Sequence, residues 1–151
     1  MNTYHLTTKW KFIEAMWSIT ITALLFGTFA YFVRFFLVLY LIMGITALAS
    51  TFYDLATERI IVSERGIEYR KLAFAFEVSW ADMDEFGYYW FREGLLIEKD
   101  AIKPIFVYRP TYAILMGFGQ SAFIPLSSFS NNWRSSELGK QIKQYAPRLF
   151  E

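Results

Sequence analysis

The sequence predicts two membrane-spanning helices followed by a soluble α+β domain, a small antiparallel β-barrel or sandwich of about seven strands capped by a C-terminal helix. Three patterns lead to this fold class. Residues 15–53 are apolar almost throughout. Beyond residue 56, turn residues separate short alternations of apolar and polar residues, and the end of the chain has a helical period. We therefore divide the chain into a two-helix transmembrane anchor, residues 1–56, and a soluble domain, residues 57–151.

The composition agrees with a membrane protein and excludes several other classes. Hydrophobic residues make up 55% of the chain and charged residues only 19%. The part after residue 55 carries 12 basic and 12 acidic residues, so it is neutral and does not suit a nucleic-acid binder, which must neutralise phosphates. The chain has no cysteine, which excludes disulfides, thiolate metal sites and thiol catalysis.

The apolar stretch is long enough to cross a bilayer twice. Arg34 is its one charged residue and has 19 uncharged residues on each side. A helix rises about 1.5 Å per residue and the hydrocarbon core is about 30 Å thick, so about 20 residues cross it once. We predict a hairpin with spans at residues 12–32 and 35–54 and a tight turn at Arg34, whose charge reaches water. A cleaved signal peptide has a shorter apolar run followed by polar sequence, which this chain does not show.

Basic residues at the flanks predict the orientation of the hairpin. Short segments on the cytoplasmic side of a membrane protein are enriched in lysine and arginine. Six basic residues flank the open ends of the hairpin and one lies in its turn, so both termini should be cytoplasmic. The six residues are Lys9, Lys11, Arg59, Arg65, Arg70 and Lys71, and the one is Arg34.

The soluble part has the strand pattern of an antiparallel β-domain. Residues 59–63 form a first short strand, followed by a turn in which Gly66 can take a positive φ. Alternation is clearest over residues 71–80, where one face carries only large apolar side chains. Pro104, Pro110 and a glycine pair separate the later strands. These strands cover residues 86–91, 94–98, 105–108, 112–118 and 122–126.

A single amphipathic helix follows the strands. Asn131 or Asn132 can cap a helix that runs to about Tyr145. Leu138 and Ile142 lie four residues apart on one apolar stripe, and a proline after Ala146 ends the helix. We expect this helix to plug one open end of the sheet assembly.

Three segments carry a resemblance to a known family. They are a strand–turn–strand opening at residues 60–67 (IIVSERGI), residues 78–83 (VSWADM), and residues 123–126 (FIPL) ahead of the C-terminal helix. In this order of elements the soluble part resembles a bacterial pleckstrin-homology-like domain. With the two preceding spans, nearly the whole chain resembles the YcxB-like family of membrane-anchored proteins. The resemblance rests on hydrophobic patterns, so it implies an architecture and a place in the bacterial cytoplasmic membrane, and no particular activity.

The same resemblance points to a candidate site for a lipid headgroup. In animal pleckstrin-homology domains, basic residues across the first hairpin bind phosphoinositides, and Arg65, Arg70 and Lys71 lie in or near the equivalent place. Glu64 and Glu68 lie among them and would oppose a polyanionic headgroup. The alternative is that the three basic residues belong to ordinary solvated strand faces.

No pattern typical of an enzyme active site occurs. The chain lacks a Gly-rich phosphate loop, a nucleophile elbow and a paired-histidine motif. His5 is the one histidine, so the serine pairs near the C-terminus have no base for a catalytic triad. The cluster of Asp82, Asp84 and Glu85 lacks the glycine and the downstream glutamate of a calcium loop. We predict a protein that is not an enzyme, with no catalytic residues, no metal or cofactor and no small-molecule substrate.

Four consecutive aromatic residues stand out in the domain: Tyr88, Tyr89, Trp90 and Phe91. A strand over these residues places aromatic side chains on both of its faces. One face can fill the core, and the other must be covered by the membrane surface, by a partner protein or by another local element.

The sequence therefore predicts a membrane-anchored interaction module, a scaffold or accessory subunit of a larger membrane protein complex. Its expected partners are the lipid bilayer and other membrane proteins or a second copy of the chain, and not nucleic acid. The alternative is a peripheral protein that senses lipid headgroups through Arg65, Arg70, Lys71 and the aromatic residues.

Overall fold

The computed structural model describes residues 1–32, 37–72, 74–89, 91–98, 101–107 and 121–150. The chain divides into two compact units. One unit is Thr8–Ala56, and the other combines Met1–Thr7 with Thr57–Glu151. The predicted division placed the first seven residues with the anchor, whereas the contacts place them in the β-domain.

The first unit is a pair of antiparallel helices, α1 (Thr8–Phe32) and α2 (Leu37–Thr57). The hydroxyl of Ser18 donates a 3.0 Å hydrogen bond to the Thr51 hydroxyl. Nearer the turn, Gly44 lies beside the ring of Phe26, and a Cβ atom on this glycine would lie 3.6 Å from the ring, an ordinary van der Waals distance. The predicted turn at Arg34 lies outside the described residues.

Three threonine hydroxyls of this unit form hydrogen bonds within their own helices. Thr20, Thr28 and Thr46 each donate to the carbonyl four residues earlier, at 2.6–2.9 Å. Because these three hydroxyls already have hydrogen-bond partners, they need no water, which suits an apolar surrounding.

Within the described part of the chain, one helical segment is long and apolar enough to cross a membrane, by length and composition. This segment is Val38–Thr57, with 20 residues and a mean hydropathy of 1.6. Only 11% of its most apolar part is buried, which distinguishes it from the core helix of a soluble domain. Large apolar side chains on both helices are exposed, among them Trp17, Leu24, Val38 and Ile45.

The second unit is an α+β domain with two antiparallel sheets. The five-stranded sheet has the order β1-β2-β3-β4-β7, and the three-stranded sheet has the order β5-β6-β8. Two short helices, α3 and α4, follow the last strand. One 3₁₀ turn, Trp80–Asp82, lies between β4 and β5, and two more, Trp133–Ser135 and Pro147–Phe150, precede and follow α4. The elements are β1 (Asn2–His5), β2 (Arg59–Val62), β3 (Gly66–Arg70), β4 (Phe74–Ser79), β5 (Met83–Tyr89), β6 (Arg92–Glu98), β7 (Lys103–Val107), β8 (Ser121–Ile124), α3 (Leu126–Phe129) and α4 (Glu137–Tyr145).

The α+β class is confirmed, and seven described strands follow α2 as predicted. A closed barrel is not confirmed, because across the described residues no strand ladder joins the two sheets. The predicted strand at residues 112–118 lies outside the described residues.

The N-terminal strand β1 was not predicted. It pairs with β2, with His5 opposite Arg59 and Asn2 opposite Val62. Burial, and after it the nearby carboxylate of Glu137 on α4, raise the pKa of the Tyr4 phenol. The strand therefore forms one edge of the five-stranded sheet and lies close to the start of α4.

Apolar side chains from both sheets and from the helices form the core of this domain. In β3, Ile67 and Tyr69 are buried and Glu68 between them is only partly so, as strand alternation requires. Each fully buried aliphatic side chain contributes about 1.5–3 kcal/mol before conformational entropy is counted. Among the fully buried side chains are Phe76, Leu95, Ile97, Ile124, Leu126, Leu138 and Ile142.

The start of the C-terminal helix differs from the prediction. Ser136, and not Asn131 or Asn132, is the N-cap of α4, and its hydroxyl accepts from the Gly139 N–H. Asn132 has a left-handed backbone, with φ 49°, and precedes a 3₁₀ turn. The predicted apolar stripe is confirmed, since Leu138 and Ile142 are fully buried.

Candidate functional site

The aromatic run lies at the end of the β5–β6 hairpin. Tyr88 pairs with Glu93 and Tyr89 with Arg92, so the connection between the strands is two residues long. Tyr88, Tyr89 and Phe91 are 76%, 56% and 95% exposed, and we refer to these three side chains as the aromatic tip. The fourth predicted residue, Trp90, lies outside the described residues.

The backbone at Phe91 is strained. Its φ of 62° lies in the left-handed region, which two-residue hairpins normally fill with glycine or asparagine. A residue with a Cβ atom loses about 1–2 kcal/mol there. The chain therefore keeps a large aromatic side chain, almost fully exposed, at a position where both stability and solubility favour a smaller residue.

The base of the hairpin is held by Glu93. Its carboxylate accepts hydrogen bonds from the Trp133 indole N–H at 2.8 Å and from the Arg134 Nε at 2.8 Å. Its backbone N–H donates to the Ser127 hydroxyl at 3.0 Å. The Arg134 guanidinium also lies over the ring of Phe86, 5.1 Å from the ring centre. These contacts join the hairpin to the segment between α3 and α4, so the aromatic tip projects from a fixed base.

Two glycines face each other just below the aromatic tip. Gly87 is paired with Gly94, and a Cβ atom on Gly94 would lie 2.0 Å from the Ile124 carbonyl oxygen, so only glycine fits. The ring of Phe123 lies beside Gly94 and contacts the ring of Tyr89, with 5.8 Å between the ring centres. The rings of Phe123 and Tyr89 thus cover the outer face of the hairpin beside the two glycines, which have no side chains of their own.

The chemistry of the aromatic tip is that of a contact surface. It offers apolar ring area and phenol hydroxyls, and the segment from residue 87 to residue 92 contains no acidic residue. Exposed aromatic clusters of this kind supply much contact area for little conformational entropy. Within the described ranges, no group of three or more histidine, aspartate or glutamate residues is placed to hold a metal ion.

The three predicted headgroup residues do not form one cluster. Arg65 precedes β3, whereas Arg70 ends β3 and Lys71 follows it. A strand rises about 3.3 Å per residue, so Arg65 lies about 16 Å from Arg70 along the chain. Arg70 forms an ion pair with Glu68, and Lys71 forms one with Glu58, 3.1 Å from Nζ to Oε2.

Several residues of these sites were missed by the sequence analysis. Glu58 follows α2 directly and is fully buried, with Tyr69 and Lys71 as its partners. Glu93 and Arg134 likewise form a pair whose members are far apart in sequence. The sequence gives no sign of either pairing, because each depends on how distant segments meet.

The fold and its surface define an α+β domain joined to a pair of apolar helices, with an exposed aromatic hairpin as its most distinctive surface. Comparison of the chain with protein-family models, with curated proteins and with solved structures found no match. The resemblance to the YcxB-like family therefore stays a prediction.

Proposed function

We propose that this chain is a membrane-anchored, pleckstrin-homology-like interaction module, an accessory subunit that binds a larger membrane protein complex through its aromatic tip. The helices anchor the chain, and the β-domain supplies the contact. It carries out no chemical reaction.

The observation that carries this proposal is the strained and exposed Phe91. Its left-handed backbone costs stability and its 95% exposure costs solubility, and the Glu93 contacts hold the hairpin in place regardless. Strain of this kind is typical of functional positions. Aromatic residues on a rigid support are also the usual centres of protein–protein contacts.

Chain connectivity supports the anchoring. His5 and Arg59 are paired in the sheet, α1 begins at Thr8, and α2 ends at Thr57. Because His5 and Arg59 are paired, α1 must begin and α2 must end on the same side of any membrane that the helices cross. A hairpin that crosses the membrane twice meets this condition, and the excess of basic residues at its open ends favours the cytoplasmic side.

Cysteine labelling tests this topology, because the chain has no cysteine of its own. Thr3 and Ser135 are exposed on the β-domain, and Tyr31 is exposed near the far end of α1. We expect a membrane-impermeant maleimide to label T3C and S135C only after cells are opened, and Y31C in intact cells. Labelling of T3C and S135C from opposite sides would contradict a hairpin.

Photo-crosslinking tests the contact. We expect a photoreactive phenylalanine at position 91, in the full chain in native membranes, to give one discrete protein adduct. The same group at Lys140, an exposed position on α4, serves as the control and should give none. Equal adducts at both positions, or adducts with lipid alone, would contradict a protein partner at the aromatic tip.

The alternative of a lipid-headgroup sensor finds less support. Arg70 and Lys71 have carboxylate partners, which compete with a phosphate group, and Arg65 lies at the other end of β3. Binding of a soluble inositol phosphate to the full chain and to its R65A variant in detergent would decide this, with equal binding by the two counting against headgroup recognition.

A further inference from the structure

Among the described strands the two sheets have four edge strands, and these differ in how well they are protected. Exposed edges invite pairing with other chains, and proteins protect them with short strands, lysine, proline or bulges. β1 and β8 have only four residues each. β7 begins with Lys103 and Pro104. β5 is the longest of the four, with seven residues.

The first half of β5 is protected. The strand has a register shift between Met83 and Glu85, which interrupts regular pairing. The Arg148 guanidinium donates to the carbonyl oxygens of Trp80, Ala81 and Met83 at 2.7–3.0 Å. The 3₁₀ turn that carries Arg148 also packs Phe150 against Phe86. These features cover the edge near the start of the strand.

No strand of the described residues lies beside the second half of β5 on the side away from β6. A two-residue connection makes Tyr89 and Arg92 a hydrogen-bonded pair, so Tyr88 and Glu93 form a non-hydrogen-bonded pair. The Glu93 N–H bears this out, since it points away from β5 and donates to Ser127. The N–H and C=O groups of Phe86 and Tyr88 therefore point away from β6. No backbone group of the described residues bonds to them.

We propose that an extended segment of a partner protein adds to β5 as a new edge strand beside Phe86 and Tyr88. We build this inference on the proposed function, and it assigns the binding mode of the partner. The backbone groups of both residues supply the hydrogen bonds, and the neighbouring side chains supply the contacts.

The side chains beside this edge determine what the segment contains. On one face it meets Phe86 and Tyr88, and on the other Tyr89 and the half-buried Leu96. It should therefore carry apolar residues on both faces. The Arg134 charge is paired with Glu93, whereas Glu85 on this edge is exposed, so the segment should be neutral or basic, not acidic.

Two variants of Tyr88 separate the contribution of its backbone N–H to peptide binding from that of its side chain. Tyr88→Pro and Tyr88→Thr both remove the aromatic ring, but only proline also removes the outward N–H. The N–H at this position takes no part in the β5–β6 ladder, so the hairpin can tolerate the change. The probe is a fluorescent extended peptide that alternates valine and threonine around one tyrosine, with one lysine, added to the full chain in detergent.

We expect the wild-type chain to bind this peptide and Tyr88→Pro to bind it at least tenfold more weakly than Tyr88→Thr. A second measurement avoids any folding defect of the proline variant. Methylation of peptide amides in one alternate set should abolish binding to the wild-type chain, and methylation of the other set should leave it unchanged.

Equal binding by the two variants, equal effects of the two methylation patterns, or no binding by the wild-type chain would each overturn the inference. A chain that binds no peptide but changes from dimer to monomer in Tyr88→Pro would show that the edge pairs with a second copy instead. The proposed function fails separately, when the photoreactive group at position 91 gives no specific protein adduct.

Discussion

The hydroxyl of Tyr69 donates a 2.5 Å hydrogen bond to the carboxylate of Glu58, a side chain with no exposed surface. Lys71 completes the cluster with its ion pair to the other carboxylate oxygen and lies over the Tyr69 ring. The rings of Phe74, Phe76 and Phe129 surround Tyr69 edge-on or nearly so. A buried charge is therefore tied to the aromatic core directly after α2.

The members of this cluster should differ in their importance for stability. Lys71→Met removes the cation that lies 3.1 Å from a fully buried carboxylate, which costs about 3–5 kcal/mol. Glu58→Gln keeps the size of the side chain and leaves Lys71, 22% exposed, able to reach water, so we expect a smaller cost, about 1–3 kcal/mol. Thermal unfolding of the full chain in detergent, followed by tryptophan fluorescence, measures the order. A larger loss in Glu58→Gln than in Lys71→Met would contradict this account.

Glu93 should hold the aromatic tip in place. Replacement by alanine removes the acceptor for the Trp133 indole and the Arg134 guanidinium, at a cost of about 1–3 kcal/mol. We expect faster hydrogen exchange at residues 88–92 than in the wild-type chain. The matched control is Glu137→Ala, which breaks the exposed pair with Lys140, and such surface pairs contribute about 0–1 kcal/mol. Unchanged exchange at the hairpin in the Glu93 variant would show that these contacts do not order it.

Phe91→Gly should separate stability from binding. Glycine tolerates the left-handed backbone, so we expect a gain of about 0.5–1 kcal/mol in the free energy of unfolding. The same change removes the most exposed aromatic ring and should weaken partner binding. Tyr31→Gly, an exposed aromatic on α1, should bring no such gain because its backbone is helical. A destabilised Phe91→Gly variant would mean that the ring is held by contacts and is not strained.

Arg148 should limit self-association. Its guanidinium covers the Met83 carbonyl, so Arg148→Ala uncovers this part of the β5 edge as well as breaking three hydrogen bonds. We expect larger oligomers by light scattering in detergent, and a loss of about 1–3 kcal/mol in stability. Lys143→Ala, on the nearby helix α4, is the control for loss of one positive charge. Oligomers of the same size in both variants would rule out edge protection by Arg148.

The strand β1 should stabilise the β-domain even though it precedes the helices. Replacing residues 2–5 with alternating glycine and serine keeps the length and removes the propensity to pair. We expect faster hydrogen exchange in β2, which loses one of its two neighbouring strands, and unchanged exchange in β8, which lies in the other sheet. Equal protection of β2 in both chains would show that β1 contributes nothing to the sheet.

The sequence predicts elements whose pattern is local. The α2 helix, the β3 alternation and the apolar stripe of α4 follow from the spacing of residues within a single segment. β1 was missed because it has four mostly polar residues and its partner follows two long helices. The first residue of α4 was misplaced because Ser136 and Asn132 are equally good caps, and only the 3₁₀ turn between them decides.

The candidate site was predictable in composition but not in shape. The aromatic run was visible as a sequence feature, whereas turn chemistry predicts glycine or asparagine where Phe91 stands. The headgroup prediction rested on Arg70 and Lys71 as positive charges. Glu68, the partner of Arg70, was visible in the sequence, whereas the Glu58 partner of Lys71 became apparent only in the structure, because these two residues belong to different strand ends.

Pairing of β1 with β2 ties the order of synthesis to the order of folding. The ribosome makes β1 first and β2 only after both helices have been translated, so the five-stranded sheet stays incomplete until the intervening 49 residues of Thr8–Ala56 have emerged. A chain whose helices are misplaced holds its two strands apart and presents an unfinished sheet to proteases. The β1–β2 ladder can therefore form only after the helical segment has been translated and its end has returned to the position of its start.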